Sequence, residues 1–275
     1  MRILSRRDWG ADISLKRRGH LIGPSKRTEV FIHHTGLRAA DVTGNQWKSL
    51  RQVRKSMRQL QRARPDLGLD VPYNFVAYSM QSGELVLCEG RGLDRTAAHA
   101  KNHNRSGLSI AFEGNFETAN VPRQLRKQLA DLTAWLQSLR NSRGFANLGD
   151  SRPVGKHVWG HRDAKSAKTL CPGSNLYELL PIIRFITEED DKAMDRATWK
   201  FVQRSLQALE PPLYAGKAID GRPGRNTNTA LRAFEKRMQL ETRGVIGALG
   251  DPNAAIWPAT RELLFVVSAN AASGV

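Results

Sequence analysis

The sequence predicts a mixed α/β fold, a central mixed β-sheet flanked by helices, followed by a small C-terminal helical domain. Three observations carry this. Short β-branched and aromatic runs read as buried strands, and apolar residues at three- and four-residue steps mark helices between them. Near residue 190 the periodicity lapses into the acidic run ITEEDDKAMD, which marks a linker at about residues 186–194.

Taken in order, TEVFIHH (28–34) reads as a buried strand that stops at Thr35-Gly36. In QWKSLRQVRKSMRQLQ, Trp47, Leu50, Val53, Met57 and Leu60 form one apolar stripe and predict a helix. The cations Lys48, Arg51, Arg54, Lys55 and Arg58 fall on its other faces, a solvated basic surface. YNFVAYSM and ELVLCEG, separated by Ser82-Gly83, predict two strands joined by a short turn, and LSIAFEGNF a third. Leu125, Leu129, Leu132, Leu136 and Leu139 predict a second amphipathic helix. Strands interleaved with helices give α/β organisation over residues 1–187. Residues 195–275 hold three short helical patterns, around Phe201–Leu209, Thr229–Met238 and Thr260–Val267, parted by Gly/Pro-rich loops.

Composition narrows the function. With 275 residues, 40% hydrophobic, the chain suits two modest domains, and no apolar run is long enough to cross a membrane. Two cysteines, Cys88 and Cys171, cannot build a disulfide framework. The start MRILSRRDWGA lacks the apolar core and small-residue cleavage site of a secretory signal, so ordinary export is not expected. Net charge is +17 and points to an anionic partner: nucleic acid, a membrane surface or an acidic wall polymer. From Glu188 onward there are 12 Lys+Arg against 11 Asp+Glu, a net +1, which leaves +16 on residues 1–187.

The chemistry-bearing residues are scattered. In a strand, neighbouring side chains face opposite ways, so of His33 and His34 at most one reaches a given site. Read alone, either is a strand-end packing or hydrogen-bonding residue sooner than a ligand. Far downstream, VWGHRDAKSAKTLCPG sets His161 and Cys171 on a loop broken by Gly160, Pro172 and Gly173. Two imidazoles and one thiolate would complete the three-ligand set of a catalytic zinc, with the fourth position left for water, although the spacing is not a zinc-finger signature.

The ordered segments RDWGA, FIHHTG, PYNFVAYS, EGRG, AAHAKNHN, IAFEGNF and GHRDAKSAKTLCPG, over about residues 4–182, resemble the zinc-dependent N-acetylmuramoyl-L-alanine amidases. That family includes the phage lysozyme-type amidases and the peptidoglycan recognition proteins. The resemblance implies one zinc ion held by His33, His161 and Cys171, with His34 on the opposite face in a packing or supporting role. It also implies Tyr73 lining the zinc site and Thr169 as the polar group near the transition state. The family often has a lysine at that position, and here Lys168 lies one residue earlier. Substrate contacts are implied for His99 and Asn102, with Arg91 and Asn115 either shaping the groove or only bracing loops. Glu113 falls outside the position where some relatives carry a catalytic glutamate, and a structural strand-end role is expected.

DGRPGRNTNTALRAFEKRMQL is similar to the peptidoglycan-binding domain of wall hydrolases through Asp220, Gly221, Gly224, Thr227, Ala230 and Phe234. The expectation is a monomeric, two-domain wall amidase of the phage endolysin kind. It would wait in the host cytoplasm and act on bacterial peptidoglycan, with attraction to anionic envelope polymers or lipopolysaccharide. A protein that binds peptidoglycan without cutting it is the rival reading, against which stands the presence of Cys171. No zinc-finger, helix-turn-helix or aromatic single-strand platform supports a nucleic-acid partner.

Overall fold

In a computed structural model of the chain, the described residues are 1–36, 47–142, 144–151, 158–183, 196–209, 211–238, 240, 242–246, 249, 254–256, 260 and 264. They fall into two compact units, Met1–Leu180 and Pro181–Val275. The expected linker at 186–194 lies outside the described residues, as does most of the helix expected around Thr260–Val267.

The first unit runs β1 (Arg2–Leu4), α1 (Arg6–Trp9), β2 (Glu29–His34), α2 (Leu50–Arg62), β3 (Phe75–Ser79), β4 (Leu85–Glu89), β5 (Gly107–Phe112), α3 (Leu125–Ser142), β6 (Trp159–Gly160) and α4 (Ser174–Tyr177). Six strands form one sheet in the order β1-β4-β3-β5-β2-β6. Only β3 and β4 pair antiparallel, across the Ser82-Gly83 turn. The mixed sheet flanked by helices is the architecture read from the sequence. Two short strands were not legible there: β1 pairs with β4, and β6 adds only two residues beside Phe31 and Ile32 of β2.

Each face of the sheet has its own helix. On one, Val53, Met57 and Leu60 of α2 pack with Val76, Tyr78, Val86 and Cys88, closed by Trp9 and Trp47. The helix starts at Leu50, capped by Ser49, whose hydroxyl accepts from the Gln52 amide at 3.3 Å. Trp47, expected in its first turn, instead bridges Met80 and extends the sheet. Cys88 is wholly buried, and burial pushes its thiol pKa up, in keeping with a packing role.

On the other face α3 buries all five of its stripe leucines. Each contributes about 2 kcal/mol of transfer, far beyond the few tenths set by helix propensity, so packing decides where this helix lies. Phe75 meets Trp135 edge-to-face at 5.1 Å, and Gln128 Nε2 donates to the carbonyls of Gly83 and Glu84 at the turn.

The second unit holds α5 (Arg196–Gln207), α6 (Arg225–Arg237) and a strand pair not expected from the sequence, β7 (Val245–Ile246) with β8 (Ala255–Ile256). The Asp220-Gly221 motif is bound to α5 through Gln203. Its amide donates to Asp220 Oδ1 at 2.8 Å and Thr227 Oγ1 at 3.0 Å and accepts from the Gly221 amide at 2.8 Å. Gly221 has φ +73°, and a Cβ there would lie 2.5 Å from the Arg196 carbonyl oxygen, so glycine is required.

Candidate metal centre

β2 delivers His33 to its C-terminal end. Register places His33 beside Ala111, and Ala111 beside Val76, so His33 shares the face on which α2 packs. His34 turns to the other face, where its Nδ1 accepts from the Phe116 amide at 3.2 Å. Its backbone N–H donates to Cys171 Sγ at 3.4 Å. The two neighbours thus do different work: one side chain enters the site, and the other's backbone steadies the thiol.

His161 and Cys171 come from the loop after β6. Asp163 fixes the turn that carries His161, accepting from the Gly160 amide at 2.8 Å and from the Tyr177 hydroxyl at 2.6 Å. Arg162 ties the loop's far end: its amide donates to the Cys171 carbonyl at 2.9 Å, its guanidinium donates to the Leu170 carbonyl, and it lies 4.5 Å over the Tyr177 ring. Gly173 takes φ +90°, and a Cβ would meet Phe116 C at 2.4 Å. The Cys-Pro-Gly turn is therefore pressed against Phe116 and Glu117 in the segment that follows β5.

Ligand atoms of His33, His161 and Cys171 converge within 4.8 Å of one another, with Cys171 Sγ 3.6 Å from His33 Nδ1. Tetrahedral zinc ligands stand about 3.5 Å apart, so this donor set fits zinc with modest closure. Electrostatics agree. Burial, then the neighbouring histidines, hold His33 well below the usual range, and burial lowers His161 too. Both imidazoles are neutral and can offer a lone pair. Burial pushes the Cys171 thiol up to about 12. A buried thiol beside neutral rings keeps its proton until a cation takes its place.

Residues 24–174 match the sequence pattern of the N-acetylmuramoyl-L-alanine amidase family. The chain belongs to that family. It is 29% identical over 177 residues to peptidoglycan-recognition protein LB of Drosophila melanogaster, covering 64% of this chain and 66% of that one. It is 30% identical over 155 residues to human N-acetylmuramoyl-L-alanine amidase, covering 55% of this chain but 23% of that protein. Among solved structures it resembles the ectodomain complex of peptidoglycan recognition proteins LCa and LCx bound to tracheal cytotoxin, with TM-score 0.50 and 25% identity over 65% of this chain and 94% of that chain.

Within this amidase-family chain, Tyr73 stands beside the metal-site residues. Its ring centroid is 5.3 Å from that of His33. Burial, then the proximity of Cys171, raises its pKa, so the phenol stays protonated and is a donor. Thr169 Oγ1 accepts from the Cys171 amide at 3.1 Å, which leaves its hydroxyl proton to donate elsewhere, while Lys168 is exposed. The groove residues are placed differently from one another. Arg91 is buried, its Nε donating to the Val71 carbonyl at 3.0 Å, and braces the loop before β3. Asn102 is exposed with φ +71°. Asn115 accepts from the Glu117 amide at 3.1 Å within its own turn. His99 is buried against His33, with Nδ1 3.0 Å from His33 Nε2.

Sequence reasoning passed over Asn104, whose Oδ1 accepts from the amides of His99 and Ala100 at 2.9 and 3.2 Å and shapes their loop. It passed over Glu117 as well, which accepts from Ser174 N at 2.7 Å and holds the start of α4 against the β5 end. Their signal was present, an Asn closing the AAHAKNHN segment and an acid three residues past Gly114, but contacts over 57 residues are not visible in a sequence. Glu113 is buried, with Oε1 accepting from Ser56 at 3.2 Å, and desolvation pushes its pKa up to about 7.

Proposed function

We propose that this chain hydrolyses peptidoglycan, cutting the amide between the N-acetylmuramic acid lactyl group and L-alanine with one zinc ion held by His33, His161 and Cys171. The observation that carries the reading is the convergence of two neutral imidazoles and a thiol, from strand and loop 128 residues apart, in a site matched to zinc. When bound, zinc supplies a Lewis acid and a nucleophile at neutral pH. The chain's own residues do the rest. Tyr73, held protonated, donates to the oxyanion that develops on the carbonyl, and the Thr169 hydroxyl, oriented by the Cys171 amide, supplies a second donor.

The relatives' names support the substrate class, since they include amidases and peptidoglycan recognition proteins and one solved relative holds tracheal cytotoxin. Recognition without cleavage is the second reading, and the intact thiol favours the enzyme over it. Our reading extends to an endolysin, with the second unit binding the wall through the fold that the Asp220-Gly221 motif organises. The test is product chemistry: purified peptidoglycan digested by the full chain should yield new L-alanine amino termini and no new reducing sugar ends. New reducing ends, or no new termini of either kind, would refute it.

A further inference from the structure

The His33 ring has two nitrogens, and the structure gives them different partners. Nδ1 faces Cys171 Sγ at 3.6 Å, and Nε2 faces His99 Nδ1 at 3.0 Å. Only a bare nitrogen can take a metal, so the direction of the His33–His99 hydrogen bond decides whether the centre is ready for one. If His33 Nε2–H donates, Nδ1 is bare and points at the site. If His99 Nδ1–H donates, His33 carries its proton on Nδ1 and the metal position is blocked.

Nδ1 is the nitrogen that faces the other ligands, so a metal there requires the first direction, and the surroundings of His99 hold its ring in place for it. Its backbone is pinned by Asn104, and its ring packs 5.2 Å from Phe31. Its other nitrogen, Nε2, crowds Gly107 together with the His103 carbonyl oxygen: a Cβ on Gly107 would lie 2.7 Å from that oxygen and 2.8 Å from Nε2. His99 Nδ1, 3.0 Å away, is then the acceptor for Nε2–H of His33.

We propose that His99 is a positioning residue that fixes the tautomer of His33, reserving Nδ1 for the metal. The partners are His99 and His33, and no proton is gained or lost between them. Such support of a metal-binding histidine through its second nitrogen typically changes metal affinity by about 10–100-fold. The inference rests on the metal-site reading above and names a residue that the reading leaves without a role.

The test uses the full chain labelled with 15N-histidine. In the chelator-treated wild type, long-range 1H–15N correlation should show His33 as the Nε2–H tautomer. His99→Phe keeps an aromatic ring but has no acceptor. It should leave His33 in mixed tautomers and weaken zinc binding, read by chelator competition, by about 10–100-fold. His99→Asn, which places an oxygen near the position of Nδ1, should recover most of that loss. Wild-type His33 protonated on Nδ1 would overturn the proposal, and so would zinc affinity unchanged in His99→Phe. If His99→Phe does not fold, the wild-type tautomer and the His99→Asn affinity decide. All of these are read without peptidoglycan, so a failure of cleavage alone would overturn the proposed function and leave this inference standing.

Discussion

Glu113→Gln isolates one buried proton. The carboxyl lies 4% exposed between β5 and α2, with Oε1 accepting from Ser56. Burial outweighs the hydrogen bonds from Thr35 and Ser56 and pushes the pKa from 4.5 to about 7. The folded state therefore holds a proton that the unfolded chain has released. The stability tied to this group is fully present below about pH 4.5, falls as pH rises towards 7, and stays level above it. That separation corresponds to about 3 kcal/mol, of which about 2–3 kcal/mol is lost between pH 5 and 8. Glutamine mimics the neutral acid in shape and cannot ionise. Urea unfolding of the two proteins at pH 5, 6, 7 and 8 should show the variant gaining about 2–3 kcal/mol over wild type across that range. The lowered pKa values of His33, His34, His99 and His161 act in the opposite sense, their stability lost as pH falls, and they cancel in the difference. Parallel stability curves would show that Glu113 ionises freely and that the site is wetter than the structure has it.

Three further outcomes are expected. Tyr73→Phe and Thr169→Val should each lower turnover by about 10²–10³ while zinc content stays at one per chain, measured by elemental analysis beside single-turnover rates; wild-type rates would return both to packing roles. Gly173→Ala forces a Cβ into Phe116 and a left-handed backbone, so the free energy of unfolding should drop by at least about 2 kcal/mol, and an unchanged value in urea unfolding would contradict the loop geometry. The cations Lys48, Arg51, Arg54, Lys55 and Arg58 are exposed, with Arg54 and Arg58 donating to the backbone carbonyls of Asp8 and Trp9. Binding to intact envelopes should therefore weaken as salt shortens the Debye length from about 10 Å to about 3 Å, and cleavage of a small neutral muropeptide should not; salt-independent envelope binding would remove this surface from the account.

The elements that were legible in the sequence are those whose pattern is self-contained. β2, β3, β4 and β5 are five- or six-residue apolar runs, and α2 and α3 carry complete stripes. β1 and β6 were not legible because two or three residues make a strand only when a partner lies beside them, β4 for one and β2 for the other. Trp47 shows the same limit, since its helical spacing lost to a bridge with Met80. At the site, residue types and the His33–His34 alternation could be read directly, and the family resemblance named the ligand set. What the sequence withheld was orientation. AAHAKNHN marks a loop that matters, but only the fold shows His99 turned onto His33, 66 residues away, and Arg91 turned into the interior.

Under the proposed function, cleavage depends on a zinc ion held jointly by His33, His161 and Cys171. Cys171→Ser tests it most directly, because serine keeps the shape while a hydroxyl binds zinc far more weakly than a thiolate. Zinc content and L-alanine termini released from purified peptidoglycan should be measured on the same preparation, with folding checked by thermal unfolding. The account predicts that both fall together in a folded protein. A folded Cys171→Ser variant that digests peptidoglycan at the wild-type rate after exhaustive chelation would contradict it.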